Sequence, residues 1–131
     1  MLIDSSAWLE YFMGTKKGAT LRDVIEGEAQ LFTSPVVLAE IYSKSMRTDG
    51  IQKAKERADF ITRRCILINI DEGIGINAGK LHAEHKSKIK DFGMIDALIL
   101  ASAMHKNVEV ITYDQSLTEV MKSMGIESAR L

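Results

Sequence analysis

Four acidic residues, each placed against an apolar segment, constrain this 131-residue chain more than any other feature. Asp4 follows the apolar N-terminus, Glu40 lies inside SPVVLAEIY, Asp96 begins the apolar pattern of GMIDALILASA, and Asp114 follows VEVITY. A carboxylate beside a buried segment is costly to desolvate unless a positive charge meets it. The pattern therefore predicts that the four acids converge on one divalent cation.

Apolar runs of strand length alternate with helical patterns along the chain. We expect strands at residues 1–4, 31–33, 65–70 and 109–112 and a terminal strand at 127–131, separated by helices. This alternation predicts βαβ units, in which helices cover both faces of a parallel sheet. The expected fold is a three-layer α/β/α domain with a central, mostly parallel sheet of about five strands. No linker or repeat divides it, so residues 1–131 are predicted to form one domain.

Composition excludes several classes of protein. The chain is 46% hydrophobic and 27% charged, and it has neither an apolar run of membrane-spanning length nor the pattern of a signal peptide. Cys65 is the only cysteine, which rules out an internal disulfide and fits a reducing, cytoplasmic location. The net charge of −1 argues against a protein coated with nucleic acid, but not against one that binds a short single strand locally.

The predicted topology brings the acids to one edge of the sheet. Asp4 and Asp114 follow parallel strands, while Glu40 and Asp96 lie near the beginnings of helices that start at that edge. Oxygen ligands without histidine or cysteine suit Mg²⁺ or Mn²⁺ better than zinc. Each acid also has an ordinary explanation as a helix cap, a turn residue or a surface ion-pair partner.

Four motifs, LIDSSAW, SPVVLAEIY, GMIDALILASA and VEVITYDQSL, together resemble those of PIN-domain nucleases, most of all the small VapC-type ribonuclease toxins. The resemblance covers essentially the whole chain. It implies a PIN-like fold and an endoribonuclease that uses Mg²⁺ or Mn²⁺ to activate the water that hydrolyses RNA. It also implies a homodimer held inactive by a small antitoxin protein.

The resemblance assigns site residues by position. The catalytic and metal-binding residues would be the acidic quartet Asp4, Glu40, Asp96 and Asp114. Ser6 and Thr112 match hydroxyl residues that support the first aspartate.

Basic residues near these motifs are candidates for RNA contacts. Lys44 and Arg47 share a helix face with Glu40, and Lys86, Lys88 and Lys90 precede the Asp96 helix. All five could equally be solvated surface residues.

Two alternative functions stay open at this stage. One is a PIN nuclease of RNA processing that has no antitoxin. The other is a non-catalytic nucleotide-binding domain, because residues 73–78 fit the G-x-G-x-x-A fingerprint after a predicted strand. Asp71 and Glu72, just before those glycines, would repel a pyrophosphate. The aromatic residues Trp8, Tyr11 and Phe12 suggest an exposed patch that a second copy would cover, and the alternative is that Trp8 belongs to the core.

Overall fold

The structure, a computed structural model, describes residues 1–129 and 131. Four short strands form one parallel sheet in the order β3-β2-β1-β4. Their bounds are β1 (Leu2–Ile3), β2 (Phe32–Thr33), β3 (Ile66–Leu67) and β4 (Val110–Ile111). The helices are α1 (Ser5–Met13), α2 (Lys16–Ala19), α3 (Arg22–Glu26), α4 (Pro35–Asp49), α5 (Ile51–Arg64), α6 (Glu72–His85), α7 (Met94–Lys106) and α8 (Gln115–Ser123).

Side-chain caps fix where the helices that follow the strands begin. Asp4, Ser34, Asp71 and Asp114 each accept a hydrogen bond from a backbone N–H in the first turn of α1, α4, α6 and α8, respectively. These bonds satisfy amides that a helix N-terminus leaves unpaired. In a parallel sheet the carboxyl ends of the strands share one edge, so all four helix N-termini lie at that edge.

The hydrophobic core lies between the sheet and its helices. Leu2 and Ile3 of the central strand β1 are fully buried, as are Trp8 of α1 and Ile99 of α7. The sequence prediction of an α/β fold around a parallel sheet is therefore confirmed. Among the described residues, no helix is long and apolar enough to cross a membrane.

The prediction of about five strands was too high, because the described residues contain four. The run 65–70 was expected to be one buried strand, yet only Ile66 and Leu67 are paired, and they are 47% and 45% exposed at the sheet edge. In the C-terminal segment, the Ala129 N–H donates to the Val110 carbonyl of β4 at 3.0 Å. Arg130, within the predicted fifth strand, lies outside the described residues. Apolar composition predicted these segments to be extended but did not predict their pairing partners.

The structure decides two alternatives that the sequence left open. The glycines of residues 73–79 lie inside α6, so they form no loop that could receive a phosphate. Trp8 is fully buried and packs on Phe12 with a 5.5 Å centroid separation, so it contributes nothing to an exposed patch.

Candidate active site

Asp4 is held at the end of β1 by three hydrogen bonds and is only 2% exposed. Its Oδ1 accepts the Ser5 N–H at 2.8 Å. Its Oδ2 accepts the hydroxyls of Ser6 at 2.9 Å and Thr112 at 2.7 Å. The carboxylate is therefore fixed in one orientation, although no positive side chain meets it in the described part of the chain.

The two hydroxyls are themselves oriented by the backbone that leaves β4. Ser6 Oγ accepts the Tyr113 N–H at 2.9 Å, and Thr112 Oγ1 accepts the Asp114 N–H at 3.0 Å. Each hydroxyl has a single proton, which it donates to Asp4. Asp4 is therefore hydrogen-bonded, through Ser6 and Thr112, to the segment that carries Asp114.

Glu40 reaches the same region from the second turn of α4. Its Oε1 accepts the Ser5 hydroxyl at 2.8 Å. Asp96 is the third residue of α7, and its Oδ2 accepts the Gly93 N–H at 3.3 Å. The two acids are half-buried.

Asp114 begins α8, and its Oδ1 accepts two hydrogen bonds: one from the Leu117 N–H at 2.9 Å and one from the Ser116 hydroxyl at 2.6 Å. In each of Glu40, Asp96 and Asp114, one carboxylate oxygen is thus held by the protein. The second oxygen accepts no hydrogen bond within the described residues. Each of these three acids can offer that oxygen to a ligand.

All four acids line one open cleft of about 530 Å³. Lys44 and Arg47 of α4 also line it, as do the apolar side chains of Leu9, Val36 and Ile95. No ion pair in the described part of the chain involves an acid of the quartet. The structure therefore concentrates negative charge without a fixed counter-charge.

The acids perturb one another because they share this cleft. Burial raises the pKa of Asp4, and the charge of Asp114 raises it further, while the hydrogen bonds from Thr112, Ser6 and Ser5 oppose the rise. Burial also raises the pKa of Glu40, whereas the Ser5 hydrogen bond and the Lys44 charge lower it.

The pKa of Asp96 is raised from 3.8 to about 6, first by burial and then by the charge of Asp114. A bound cation would relieve both effects.

The donor set fits a hard divalent cation, since every available atom is a carboxylate or hydroxyl oxygen. Among the described residues, no three His, Cys, Asp or Glu side chains are already placed to enclose a metal. Mg²⁺ is commonly held by one or two carboxylates, with waters and substrate phosphates completing its coordination. The cleft suits an ion bound in that open manner and does not resemble a closed metal cage.

The structure places the five predicted basic residues in three different settings. Lys44 and Arg47 lie in the acidic cleft with Glu40, as their spacing predicted. Lys88 and Lys90 line a neighbouring depression that reaches Asp114. Lys86 instead donates a hydrogen bond to the Lys90 carbonyl.

Ser5 is the site residue for which sequence reasoning assigned no role. Of the two serines in LIDSSAW, only Ser6 was predicted to support the first aspartate, whereas the structure makes Asp4 the cap of α1 and also makes Ser5 the partner of Glu40. The signal was present, because two hydroxyls directly after a strand-ending acid occupy the first positions of a helix that begins at the sheet edge.

Comparison with known proteins identifies the family of the chain. Residues 1–122 match the PIN domain family. No curated protein matches the chain in sequence. The chain thus belongs to the PIN domain family, which confirms the resemblance seen in the motifs.

Solved structures with the same fold include a VapC toxin, a VapBC complex and another toxin-antitoxin complex. VapC20 from Mycobacterium tuberculosis, described as a Sarcin-Ricin loop cleaving toxin, superimposes with a TM-score of 0.79 at 17% identity, covering 99% of this chain and 98% of its own. The DNA-bound VapBC of Salmonella typhimurium gives 0.72 at 16% identity, covering 98% of this chain and 95% of its own. A toxin-antitoxin complex from Klebsiella pneumoniae gives 0.69 at 21% identity, covering 92% and 88%. At these identities the likeness concerns the fold.

Proposed function

We propose that residues 1–131 form one PIN-like nuclease domain, a Mg²⁺- or Mn²⁺-dependent endoribonuclease that acts as the toxin of a toxin–antitoxin pair. One observation carries the proposal: Glu40, Asp96 and Asp114 share a cleft with buried Asp4, and each has a carboxylate oxygen without a partner in the described chain. Membership of the PIN domain family supports nuclease chemistry, and PIN domains generally depend on divalent metals.

Asp4, Asp96 and Asp114 would hold the metal. When bound, the ion polarises a phosphoryl oxygen and makes water a nucleophile at neutral pH. Glu40 would act as a further ligand or orient the attacking water through Oε2, because Ser5 already holds Oε1. Ser6 and Thr112 keep Asp4 in place, so they support the site without contacting the substrate.

Lys44 and Arg47 would hold the RNA near the acids. They line the acidic cleft, and neither forms an ion pair within the described residues. Their charges can therefore meet phosphate oxygens on the strand. Lys88 and Lys90 would contact the strand on the far side of Asp114.

Cleavage of a mixed RNA pool tests this proposal. We expect no cleavage in EDTA, cleavage with Mg²⁺ or Mn²⁺, and a loss of orders of magnitude in Asp96→Asn and Asp114→Asn. The matched control is Asp71→Asn, the same change at an exposed helix N-cap, since asparagine caps a helix as well as aspartate. Cleavage that persists in EDTA would overturn the proposal.

An antitoxin is the partner we propose for the cleft. The neighbours that share this fold include VapBC complexes. Four carboxylates beside apolar Leu9, Val36 and Ile95 suit a protein segment that brings a basic side chain and an apolar face. Purification of the chain from its native cell should recover a small bound protein. Recovery of the chain alone would favour the alternative, a PIN nuclease of RNA processing that has no antitoxin.

We also propose that the protein is a cytoplasmic homodimer. The resemblance to VapC-type toxins supports this, and the single half-buried cysteine is compatible with a reducing compartment. Light scattering at tens of micromolar would give twice the 14.6 kDa chain mass, and a monomer at that concentration would refute the dimer.

A further inference from the structure

A second depression, of about 630 Å³, adjoins the acidic cleft. It is formed by one face of α1 at residues 9–13, by the end of α4 around Thr48, and by Arg57 of α5. Ser6, Leu9 and Lys44 line both the depression and the cleft. A strand bound across the acids can therefore continue into this depression without leaving the surface.

One wall of the depression is apolar. Leu9 and Met13 stand four residues apart, so they lie on the same face of α1. Leu9 is half-buried, whereas Met13 is 68% exposed. A flexible, polarisable methionine side chain adapts to flat apolar surfaces such as a nucleobase.

The opposite wall carries polar groups that are already fixed. Arg57 donates from Nη1 to Asp49 Oδ2 at 2.9 Å and to Ser45 Oγ at 3.1 Å. Its guanidinium carbon lies 5.6 Å from the Phe12 ring centroid, and its side chain is 12% exposed. Both hydrogen bonds use Nη1, and the N–H groups of Nε and Nη2 donate to no partner within the described chain. The group is therefore preorganised for a ligand.

The charges in the depression are mixed, and this decides which part of an RNA strand it suits. Glu10 and Asp49 line it beside Arg57. Their carboxylates repel phosphate but accept hydrogen bonds from base N–H groups, while the guanidinium donates to base acceptors. Lys44 lies at the junction with the cleft, where it can meet the phosphate that links the two positions.

We propose that this depression is a subsite for one nucleobase of single-stranded RNA, next to the phosphate held at the acidic cleft. The proposal rests on the proposed function and names the part of the substrate that sets sequence preference. Met13 is a specificity residue in this arrangement, and Arg57 is a positioning residue that presents hydrogen-bond donors.

Binding of RNA without cleavage gives the first test. The protein would carry Asp96→Asn and be studied in EDTA by fluorescence anisotropy. Its probes are a ten-nucleotide RNA and versions with one abasic position scanned across the cleavage site mapped in the active enzyme. Met13→Ser should weaken binding of intact RNA about three- to tenfold, the loss expected for one apolar contact. Met104→Ser, at a 48% exposed methionine on α7, is the matched control and should change nothing.

The abasic probes separate a base contact from other contacts. At one scanned position, removal of the base should weaken binding as Met13→Ser does, and the two changes together should cost no more than either one. In the active enzyme, Met13→Ser should raise KM, leave kcat nearly unchanged, and reduce the differences between substrates that vary at that base.

Two results would overturn the subsite. One is equal RNA binding by the Met13→Ser and Met104→Ser proteins, which would leave the depression to a protein segment. The other is an equal loss for intact RNA and every abasic probe, which would indicate a backbone contact. If the wild-type enzyme cuts RNA and the Met13→Ser variant binds and cuts it equally well, only the subsite is refuted. If the wild-type protein does not cut RNA under any of these conditions, both the proposed function and the subsite are refuted.

Discussion

Replacing Asp96 by asparagine should stabilise the metal-free protein. Asp96 is half-buried in a cleft with three other acids, and its pKa is raised from 3.8 to about 6 by burial and by the charge of Asp114. When the pKa of an acid is higher in the folded protein than in the unfolded chain, ionisation of that acid lowers the stability of the folded protein. Asparagine keeps the shape of the side chain and removes that cost.

The structure sets the size of the effect. A pKa rise from 3.8 to about 6 corresponds to about 3 kcal/mol at neutral pH if it is converted in full. Solvent screens a half-exposed carboxylate, so we expect about 1 kcal/mol of this in practice. The Gly93 N–H bond at 3.3 Å is weak, and the asparagine carbonyl can accept it instead. A gain of about 1 kcal/mol would raise the Tm by about 3–5 °C for a domain of this length.

The pH dependence of the free energy of unfolding tests independently whether the charge of Asp96 stabilises or destabilises the metal-free protein. Below about pH 4, Asp96 is protonated in both states and contributes nothing. Between about pH 4 and pH 6, the unfolded chain ionises before the folded one does, so metal-free wild-type protein loses stability as the pH rises. Above about pH 6 the penalty is complete, and Asp96→Asn should abolish this part of the slope.

Urea unfolding in EDTA, measured from pH 4 to pH 8, is the assay. Asp71→Asn serves as the control, because it makes the same substitution at an exposed N-cap outside the cleft. Asp96→Asn protein that is less stable than wild type at pH 7.5, with an unchanged pH slope, would refute the electrostatic reasoning.

Substitutions at three other positions should destabilise the protein in urea or thermal unfolding. Asp4→Asn should lower the free energy of unfolding by about 1–2 kcal/mol, because in either amide orientation the asparagine nitrogen faces a donor, either the Ser5 N–H or the hydroxyls of Ser6 and Thr112; unchanged stability would contradict this. Gly18→Ala should cost about 1–3 kcal/mol or more, since a Cβ would lie 2.0 Å from the Glu10 carbonyl oxygen, and a neutral result would rule out this close approach. Arg64→Ala should lower the free energy of unfolding by about 2 kcal/mol, since the guanidinium donates to four carbonyls around the end of α3. Arg64→Lys should lower it nearly as much, and full stability of the lysine variant would argue against that role of the guanidinium.

The alternation of strands and helices predicted the fold class because burial patterns depend on local sequence. The same patterns failed at residues 65–70, where the expected strand is shorter and more exposed than predicted. Strand length depends on neighbours in the sheet, and the edge position of β3 leaves Ile66 and Leu67 exposed. The burial of Trp8 could not be decided from the sequence for a related reason, since the packing of α1 against Phe60 of α5 contributes to burying the ring.

The acidic quartet could be selected from the sequence because each member adjoins an apolar run, and all four line one cleft. Their hydrogen-bonded supports were only partly predictable. Ser6 and Thr112 followed from a resemblance to known motifs, but the bond between Ser5 and Glu40 joins residues 35 positions apart. Such a contact depends on how α1 and α4 approach, which no local pattern encodes.

Titration of the metal-free protein with Mn²⁺, followed by electron paramagnetic resonance, tests the central claim that four acids from four elements share one metal site. The account predicts saturable Mn²⁺ binding that Mg²⁺ displaces. Asp4→Asn, Asp96→Asn and Asp114→Asn should nearly abolish it, Glu40→Gln should weaken it, and Asp71→Asn should leave it unchanged. Binding that survives Asp96→Asn and Asp114→Asn, or wild-type protein that binds no Mn²⁺, would contradict the account.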